Sequence, residues 1–309
     1  MVSHQILIEV MGVGGAGGNI VSYLSKLKLE GVRLVSVNTD AQDLKKTNAH
    51  YKIQIGRQLV GGLGTGMNPS LGRKAVQEKL EDIEKIIEGS ELLFLAAGFG
   101  GGTGTGALPL IAEISRQKNI LTVSVVTLPF SFEGKERQRL AQQGLKKLKE
   151  KTDALVVIEN DKILSLEKGN FSLKKSFDLC NQFLIQGVLS IADLIKKPGF
   201  INVDFAAIKT ILQNSGTAFF GIGKAKGEKR AEKAVRQALN SPFFSGDLQK
   251  AKGLLFVVSG VDISLAEVEE AAEIFTQKAN PETKITFGAF EDRTLRPGEL
   301  KITLMATGF

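Results

Sequence analysis

Glycine is concentrated at two points where an apolar run gives way to a helical pattern, and this arrangement restricts the fold more than any other feature. The first cluster, Gly12–Gly18, lies between the apolar run Ile6–Met11 and helical spacing over Asn19–Leu29. The second cluster, Gly98–Gly106, holds six glycines and two threonines, follows the apolar run Leu92–Ala97 and is again followed by a helical pattern. We therefore predict two strand–loop–helix units, each with a glycine loop.

Further apolar runs predict strands at Val32–Val37, Leu121–Thr127 and Ala154–Glu159, and Gly106–Gln117 predicts the helix after the second cluster. Each run is continuous, as in strands that are covered on both faces. Strands that alternate with helices form a parallel sheet with right-handed crossovers. The predicted fold class is therefore α/β with a Rossmann-like parallel sheet. Ligands bind such sheets at the carboxyl ends of the strands, where both glycine clusters lie.

A second, smaller unit follows a long helix. Apolar residues recur in steps of three, four and seven, at Phe177, Leu184, Val188, Ile191 and Leu194. This spacing predicts a helix over about 173–197, which Pro198-Gly199 would end. The remaining patterns predict helices at 206–214, 228–240 and 265–279 and strands at 218–223, 254–259, 284–289 and 300–306. We predict a first domain at 1–172, a central helix at 173–199 and an α+β domain at 200–309.

Composition narrows the possible chemistry. One cysteine, Cys180, excludes an internal disulfide framework and a thiolate metal cluster, and two histidines leave little for zinc or serine–histidine catalysis. The longest apolar runs are shorter than the roughly 20 residues of a membrane-spanning helix. The N-terminal residues lack the pattern of a secretory signal. We therefore expect a cytoplasmic protein.

The two clusters suggest different ligands when each is considered alone. Gly12, Gly14 and Gly17 match the dinucleotide fingerprint, and Asp40 ends the second strand, so an NAD(P)-dependent enzyme is one alternative; a glycine turn without ligand is another. The second cluster favours a triphosphate, because several backbone amides and the hydroxyls of Thr103 and Thr105 can converge on one anion. No lysine follows in the manner of a Walker loop.

Motifs along the whole chain, taken together, resemble the tubulin and FtsZ superfamily, and FtsZ most closely. They are Val37–Gln42, Gly62–Pro69, Gly100–Gly106 (GGGTGTG), Pro129–Gly134, Glu159–Lys162, Phe200–Phe205 and Ala306–Phe309. The resemblance implies a GTPase that assembles head to tail into protofilaments of the division ring. Its cofactors would be GTP or GDP with Mg²⁺, and the Mg²⁺ would be held mainly by phosphate oxygens and water. No dedicated metal-ligand set is predicted.

The resemblance also implies a role for individual residues. Phosphate and nucleoside contacts would come from Gly14, Gly15, Ala16, Gly17, Gly18 and Asn19, and the phosphate cradle from Gly101, Gly102, Thr103, Gly104, Thr105 and Gly106. Gly64, Thr65 and Gly66 would sense the γ-phosphate. Glu133 and Arg137 would contact ribose and phosphate, and Asn160 and Asn181 would face guanine. Alternatively, Glu133 and Arg137 pair along a helix and Asn160 caps one.

One position departs from the family pattern. In the family, a loop of the next subunit completes hydrolysis through an asparagine, an aspartate and a second aspartate. Asn202 and Asp204 match the first two, but Ala207 stands at the third. Loss of a positioned acid–base group typically costs on the order of 10²–10⁴ in rate, so we expect slow hydrolysis or a filament scaffold with structural GTP. Alternatively, Asp204 alone or a nearby carboxylate is sufficient.

The net charge of +7 is a second departure, since family members are usually acidic. Six basic residues crowd one strand end and helix: Lys224, Lys226, Lys229, Arg230, Lys233 and Arg236. They suggest either a solvated face or contact with an anionic membrane or nucleic acid. The chain stops at Phe309, where the family's globular core ends, so the resemblance implies that division-ring adaptors bind a longer form. The expected partner is the protein itself, and the expected location is the division site.

Overall fold

A computed structural model describes residues 6–164, 172–196, 199–242 and 244–309. The chain divides into two compact units, one up to Val188 and one from Leu189. Each unit has a sheet with helices packed on it and its own buried apolar core. The division into domains at 1–172, 173–199 and 200–309 stays a prediction.

The sheet of the first unit has six parallel strands in the order β3-β2-β1-β4-β5-β6. The strands are β1 (Ile8–Val13), β2 (Val32–Asn38), β3 (Tyr51–Gln54), β4 (Leu92–Gly98), β5 (Leu121–Leu128) and β6 (Ala154–Glu159). The central strands are buried along nearly their whole length. The predicted Rossmann-like parallel sheet is confirmed, and β3 is a strand that the sequence patterns did not show.

Helices cover this sheet. They are α1 (Gly14–Lys26), α2 (Ala41–Lys46), α3 (Arg57–Val60), α4 (Pro69–Glu78), α5 (Leu80–Ile87), α6 (Thr103–Gln117), α7 (Lys135–Lys149), α8 (Asp161–Leu164) and α9 (Leu173–Lys196). Of these, α1, α6 and α9 were predicted. Helix α9 passes from the first unit into the second at Val188. Pro198, the predicted end signal of this helix, lies outside the described residues.

The interpretation of Gly12–Gly18 as a loop was wrong. Strand β1 continues to Val13, and α1 begins directly at Gly14, whose φ of 72° favours glycine. The other glycines of this segment allow close packing. A Cβ on Gly12 would lie 2.1 Å from the carbonyl oxygen of Gly17, and one on Gly17 would lie 2.5 Å from that of Ala96. Glycine here brings helix and strand together rather than forming a flexible connection.

The second unit has a four-stranded mixed sheet in the order β7-β10-β8-β9. The strands are β7 (Gly216–Lys226), β8 (Gly253–Gly260), β9 (Lys284–Glu291) and β10 (Glu299–Thr307), and the helices are α10 (Phe205–Leu212), α11 (Arg230–Leu239) and α12 (Leu265–Lys278). Strand β10 is antiparallel to β7 and β8, whereas β8 and β9 are parallel. The core lies around Phe256 and Phe275, whose ring centroids are 4.7 Å apart. The predicted α+β character of this unit is confirmed.

Candidate functional site

The two glycine clusters meet at the point where the strand order of the parallel sheet reverses. Strand β1 pairs with β2 on one side and with β4 on the other, and Val13 is the register partner of Ala97. Ligands of open parallel sheets bind at such a switch point, beyond the carboxyl ends of the strands. A cavity of about 280 Å³ lies there, within the first unit, and the starts of α1 and α6 line it.

Helices α1 and α6 both begin at this cavity without a side-chain N-cap. By contrast, Asp40 caps α2 by accepting hydrogen bonds from Gln42 N and Asp43 N, and Asn68 caps α4. The first amides of a helix have no partner within the helix, and the dipole makes this end positive. Two uncapped helix starts at one cavity form an anion-binding site. Asp40 is engaged in capping and does not line the cavity, which argues against the dinucleotide alternative.

Eleven of the predicted nucleotide-binding residues line this one cavity: Gly14, Gly15, Ala16, Gly101, Gly102, Thr103, Gly104, Glu133, Arg137, Asn160 and Asn181. They come from the start of α1, the loop before α6 and the start of α6, the segment between β5 and α7, the start of α7, the residue after β6 and helix α9. Residues far apart in the sequence therefore line one cavity. Their individual roles toward a nucleotide stay predictions.

Eight predicted residues do not line the cavity, and packing explains several of them. They are Gly17, Gly18, Asn19, Gly64, Thr65, Gly66, Thr105 and Gly106. A Cβ on Gly106 would lie 1.9 Å from the carbonyl oxygen of Pro69 in α4, so this glycine permits two helices to touch. The Thr105 hydroxyl accepts a hydrogen bond from Gly100 N at 2.9 Å, which holds the loop before α6.

The segment 61–68 approaches the cavity through one side chain. Thr65 is buried, and a Cβ on Gly102 would lie only 2.1 Å from its Oγ1. Gly64 and Gly66 have positive φ angles of 82° and 54°, and no other atom lies within 4 Å of the Cβ positions that they lack. This segment therefore packs against Gly102 through the Thr65 side chain and the Asn68 backbone, and it leaves Gly64 and Gly66 in open space.

Two further polar features belong to the cavity wall. Nη1 of Arg137 donates a hydrogen bond to Oε2 of Glu133 at 2.9 Å, so the predicted alternative of an i,i+4 pair is present in the cavity wall. Asn160 is only 4% exposed, and its Oδ1 has no hydrogen-bond partner among the described residues. A buried acceptor without a partner is costly, and a bound group with N–H donors would satisfy it. Asn181 of α9 also lines the cavity.

Several lining residues were not predicted, and they make part of the wall apolar. They are Val13, Gly98, Phe99, Thr127, Pro129, Phe177 and Cys180. Phe177 was recognised only as an apolar position of the long helix, yet its ring lies edge-on to Phe130, with centroids 5.2 Å apart, and beside the cavity. Burial raises the pKa of the Cys180 thiol to about 12, so this side chain stays uncharged.

The predicted catalytic loop lies in the second unit. Asn202 and Asp204 are exposed, and each makes a local hydrogen bond: Asn202 Oδ1 accepts from Gly199 N at 2.8 Å, and the Asp204 carboxylate caps α10 through Ala206 N at 3.3 Å. Ala207 is half-exposed in the first turn of α10. The Asp204 carboxylate remains open to solvent, whereas Ala207 offers only a methyl group.

Three of the six basic residues at β7 and α11 have an acidic partner, and the suggested contact with an anionic partner was wrong for Arg230. Arg230 is buried and donates hydrogen bonds to Glu267 and Asp262. Lys224 pairs with Glu299, and Arg236 pairs with Glu232. Lys226, Lys229 and Lys233 remain exposed without an ion pair within the described residues. Contact of these three lysines with an anionic partner stays a prediction.

Two observations concern metals and membranes. Within residues 6–164, 172–196, 199–242 and 244–309, no group of three or more His, Cys, Asp or Glu side chains is arranged to hold a metal ion. No helix in the same described part of the chain is both long and apolar enough to span a bilayer.

Comparison with known families matches both units. Residues 7–168 match the model of the GTPase domain of the Tubulin/FtsZ family, and residues 216–309 match that of the C-terminal domain of the FtsZ family. The cell division protein FtsZ 1 of Thermococcus kodakarensis is 42% identical over 304 residues, which are 98% of this chain and 81% of that relative.

Solved structures agree with this match. An empty FtsZ dimer from M. jannaschii superimposes with a TM-score of 0.95 at 43% identity and covers 99% of this chain and 89% of its own. CetZ2 from Haloferax volcanii, solved as a protofilament with GTPγS, has a TM-score of 0.81 at 24% identity over 97% of this chain and 92% of its own, which shows a shared fold. The chain therefore belongs to the FtsZ family of tubulin-like, filament-forming cell-division GTPases.

Proposed function

We propose that this chain binds GTP in the cavity of the first unit and polymerises head to tail into filaments that act in cell division. The observation that carries the proposal is the pair of uncapped helix starts, α1 and α6, at one cavity on the switch point of the sheet. Their amides and dipoles favour a polyphosphate. Membership in the FtsZ family supports guanine as the base and a second copy of the chain as the partner.

The remaining lining residues would contact different parts of the nucleotide: the base, the ribose and the phosphates. Asn160 Oδ1 would accept a hydrogen bond from the base, and the Asn181 amide would contact a second atom of the base edge. Glu133 would accept from ribose hydroxyls while Arg137 keeps its remaining N–H donors for a phosphate. Phe177 offers an aromatic face or edge to the purine.

Mg²⁺ fits this site without a protein ligand set. A magnesium ion at a nucleotide usually retains waters and binds phosphate oxygens, so it needs few protein ligands. The ion would neutralise phosphate charge. The residues of this chain would position the phosphates through the amides at Gly14–Ala16 and Gly101–Gly104.

The ligand and the assembly can be tested separately. Purified protein is denatured, and the released small molecules are identified by mass spectrometry; we expect GTP or GDP. Apo protein is then mixed with GTP, GDP or buffer and followed by sedimentation and electron microscopy, and we expect filaments with GTP. Release of a dinucleotide, or failure to bind GTP, would overturn the proposed ligand. GTP binding without assembly would overturn the polymerisation.

We further propose that hydrolysis is slow. Ala207 cannot accept a proton or hold a water molecule at the position where the resemblance implies a second aspartate. Asp204 is the one acid of the predicted pair, and it also caps α10. Phosphate release measured above the assembly concentration tests this proposal. Release of several phosphates per minute per subunit would favour the alternative in which Asp204 or a neighbouring carboxylate is sufficient.

The cellular setting is part of the same proposal. A relative named as a cell division protein supports action at the division site. A fluorescent fusion expressed in dividing cells is expected to form a band at mid-cell. Uniform fluorescence throughout division would contradict this location.

A further inference from the structure

Three threonine hydroxyls form a chain beside the cavity. Oγ1 of Thr39, just after β2, lies 2.6 Å from Oγ1 of Thr103, and Oγ1 of Thr103 lies 3.4 Å from Oγ1 of Thr65. Thr39 and Thr65 are buried, whereas Thr103 is the first residue of α6 and lines the cavity. The hydroxyls therefore connect Thr39, which is buried, to Thr103, which lines the cavity.

The direction of the hydrogen bond between Thr39 and Thr103 follows from counting protons. A hydroxyl has one proton to donate and two lone pairs that accept. Within the described residues, Thr103 Oγ1 is the hydrogen-bond partner of the Thr39 hydroxyl, and Thr39 is 0% exposed. A buried proton without an acceptor is strongly disfavoured. Thr39 therefore donates, and Thr103 accepts.

This direction leaves the Thr103 proton available. Thr65 Oγ1 is a poor acceptor for it, because 3.4 Å exceeds the usual O–H···O distance of about 2.5–3.0 Å. The cavity is the other side to which Thr103 is open. A ligand oxygen in the cavity would accept a hydrogen bond from the Thr103 hydroxyl, and the hydroxyl would not have to turn to form this bond.

We propose that Thr39 is a positioning residue: by donating to Thr103, it turns the Thr103 hydroxyl proton toward a phosphate oxygen of the bound nucleotide. The inference rests on the proposed function, since it requires a phosphate in the cavity. Thr39 does not itself line the cavity and acts only through Thr103. The arrangement is a case of preorganisation, in which a donor is oriented before the charge arrives.

The test replaces Thr39 by a residue of the same shape without a hydroxyl. For Thr39→Val, we expect GTP and GDP to bind about three- to tenfold more weakly, which is the effect of one hydrogen bond, while guanosine binds as before. Thr39→Ser restores the hydroxyl and should restore affinity. Ser36→Ala is the matched control, because Ser36 is a buried hydroxyl on β2 without a hydrogen-bond partner in the described structure, and we expect no change.

A double-mutant cycle with Thr103→Val separates positioning from general damage. Once the Thr103 hydroxyl is absent, Thr39→Val should have no further effect on GTP affinity. Additive losses, an equal loss for guanosine, or wild-type GTP affinity of Thr39→Val would each overturn the inference. If Thr39→Val does not fold, Thr39→Cys is tested in its place. We expect Thr39→Cys to lose less GTP affinity than Thr39→Val would, and wild-type GTP affinity of Thr39→Cys would contradict the inference. Failure of the wild-type chain to bind GTP would instead overturn the proposed function itself.

Discussion

The guanidinium of Arg230 donates two hydrogen bonds to the carboxylate of Glu267, from Nε at 2.5 Å and from Nη2 at 3.0 Å. A third bond runs from Nη1 to Asp262. The pair joins the start of α11 to the first turn of α12, where Glu267 also bonds Ser264 in a capping box. A residue that the sequence places in a basic surface is thus a structural connection within the second unit.

Arg230→Met should therefore destabilise the protein. The change leaves Glu267, whose side chain is 21% exposed, without its main partner, and we expect the free energy of unfolding to fall by about 2–4 kcal/mol. Arg236→Met on the same helix is the control, because the Arg236–Glu232 pair is exposed and should contribute less than about 1 kcal/mol. Denaturant titration of both variants measures the difference. Equal losses would contradict the structural role of Arg230.

Ala207→Asp should raise GTP turnover. A carboxylate at this position supplies the missing acid–base group, so we expect phosphate release to increase on the order of 10²-fold above the assembly concentration. The first turn of a helix accommodates a negative charge well, so the variant should fold. Ala206→Asp, exposed in the same turn, carries the same charge at the neighbouring position and should not accelerate release. If both variants gave equal rates, Ala207 would not be the limiting position.

Asn160→Ala should separate stability from binding. Because Asn160 Oδ1 is buried without a partner, its removal should leave the apo protein at least as stable as the wild type. Nucleotide affinity should fall at least about tenfold, since the base loses a hydrogen-bond partner. Thermal unfolding of the apo protein and GTP titration test the two halves. A destabilised variant with unchanged affinity would identify Asn160 as a purely structural residue.

Glu9 should make stability depend on pH. Its side chain is fully buried on β1, and although Arg33 donates to it at 2.6 Å, burial raises the pKa of Glu9 from 4.5 to about 7. The folded state then binds more protons than the unfolded state between these two values. The free energy of unfolding should therefore fall as the pH rises from about 5 to 8, by on the order of 3 kcal/mol.

Glu9→Gln removes this titration, and the difference between the two proteins isolates it from all other groups. We expect chemical denaturation at several pH values to show a shallower pH dependence for the variant than for the wild type. Parallel curves for the two proteins would mean that Glu9 keeps one charge state in the folded protein throughout this range.

Sequence patterns predicted the central strands β1, β2, β4, β5 and β6 well, because strands covered on both faces are continuous apolar runs. They missed α7, which is mostly polar and strongly basic, and in which Ala141 and Gly144 occupy two of the four buried positions beside Leu140 and Leu148. They also placed the start of α1 five residues late. Glycine disfavours helices locally, but at Gly14–Gly18 the close approach of α1 to β1 and β4 outweighs that preference.

For the site, the resemblance brought together residues that no local pattern connects, such as Glu133, Asn160 and Asn181. The resemblance could not predict which side chains are buried or which atoms they contact. Burial of Arg230, the unsatisfied oxygen of Asn160 and the contact of Thr39 with Thr103 depend on which side chains face each other across different elements. A sequence names the residue types but does not state their hydrogen-bond partners.

Glycines of the second cluster differ in what surrounds them, so we expect them to differ in their tolerance of substitution. Gly101 lines the cavity with open space at its missing Cβ, whereas Gly106 is pressed against Pro69. In a library of alanine substitutions selected only for soluble expression, Gly101 should be replaceable and Gly106 should not. Invariance of glycine in such a signature would then reflect two different selections, one for the ligand and one for the assembly of the helices around it.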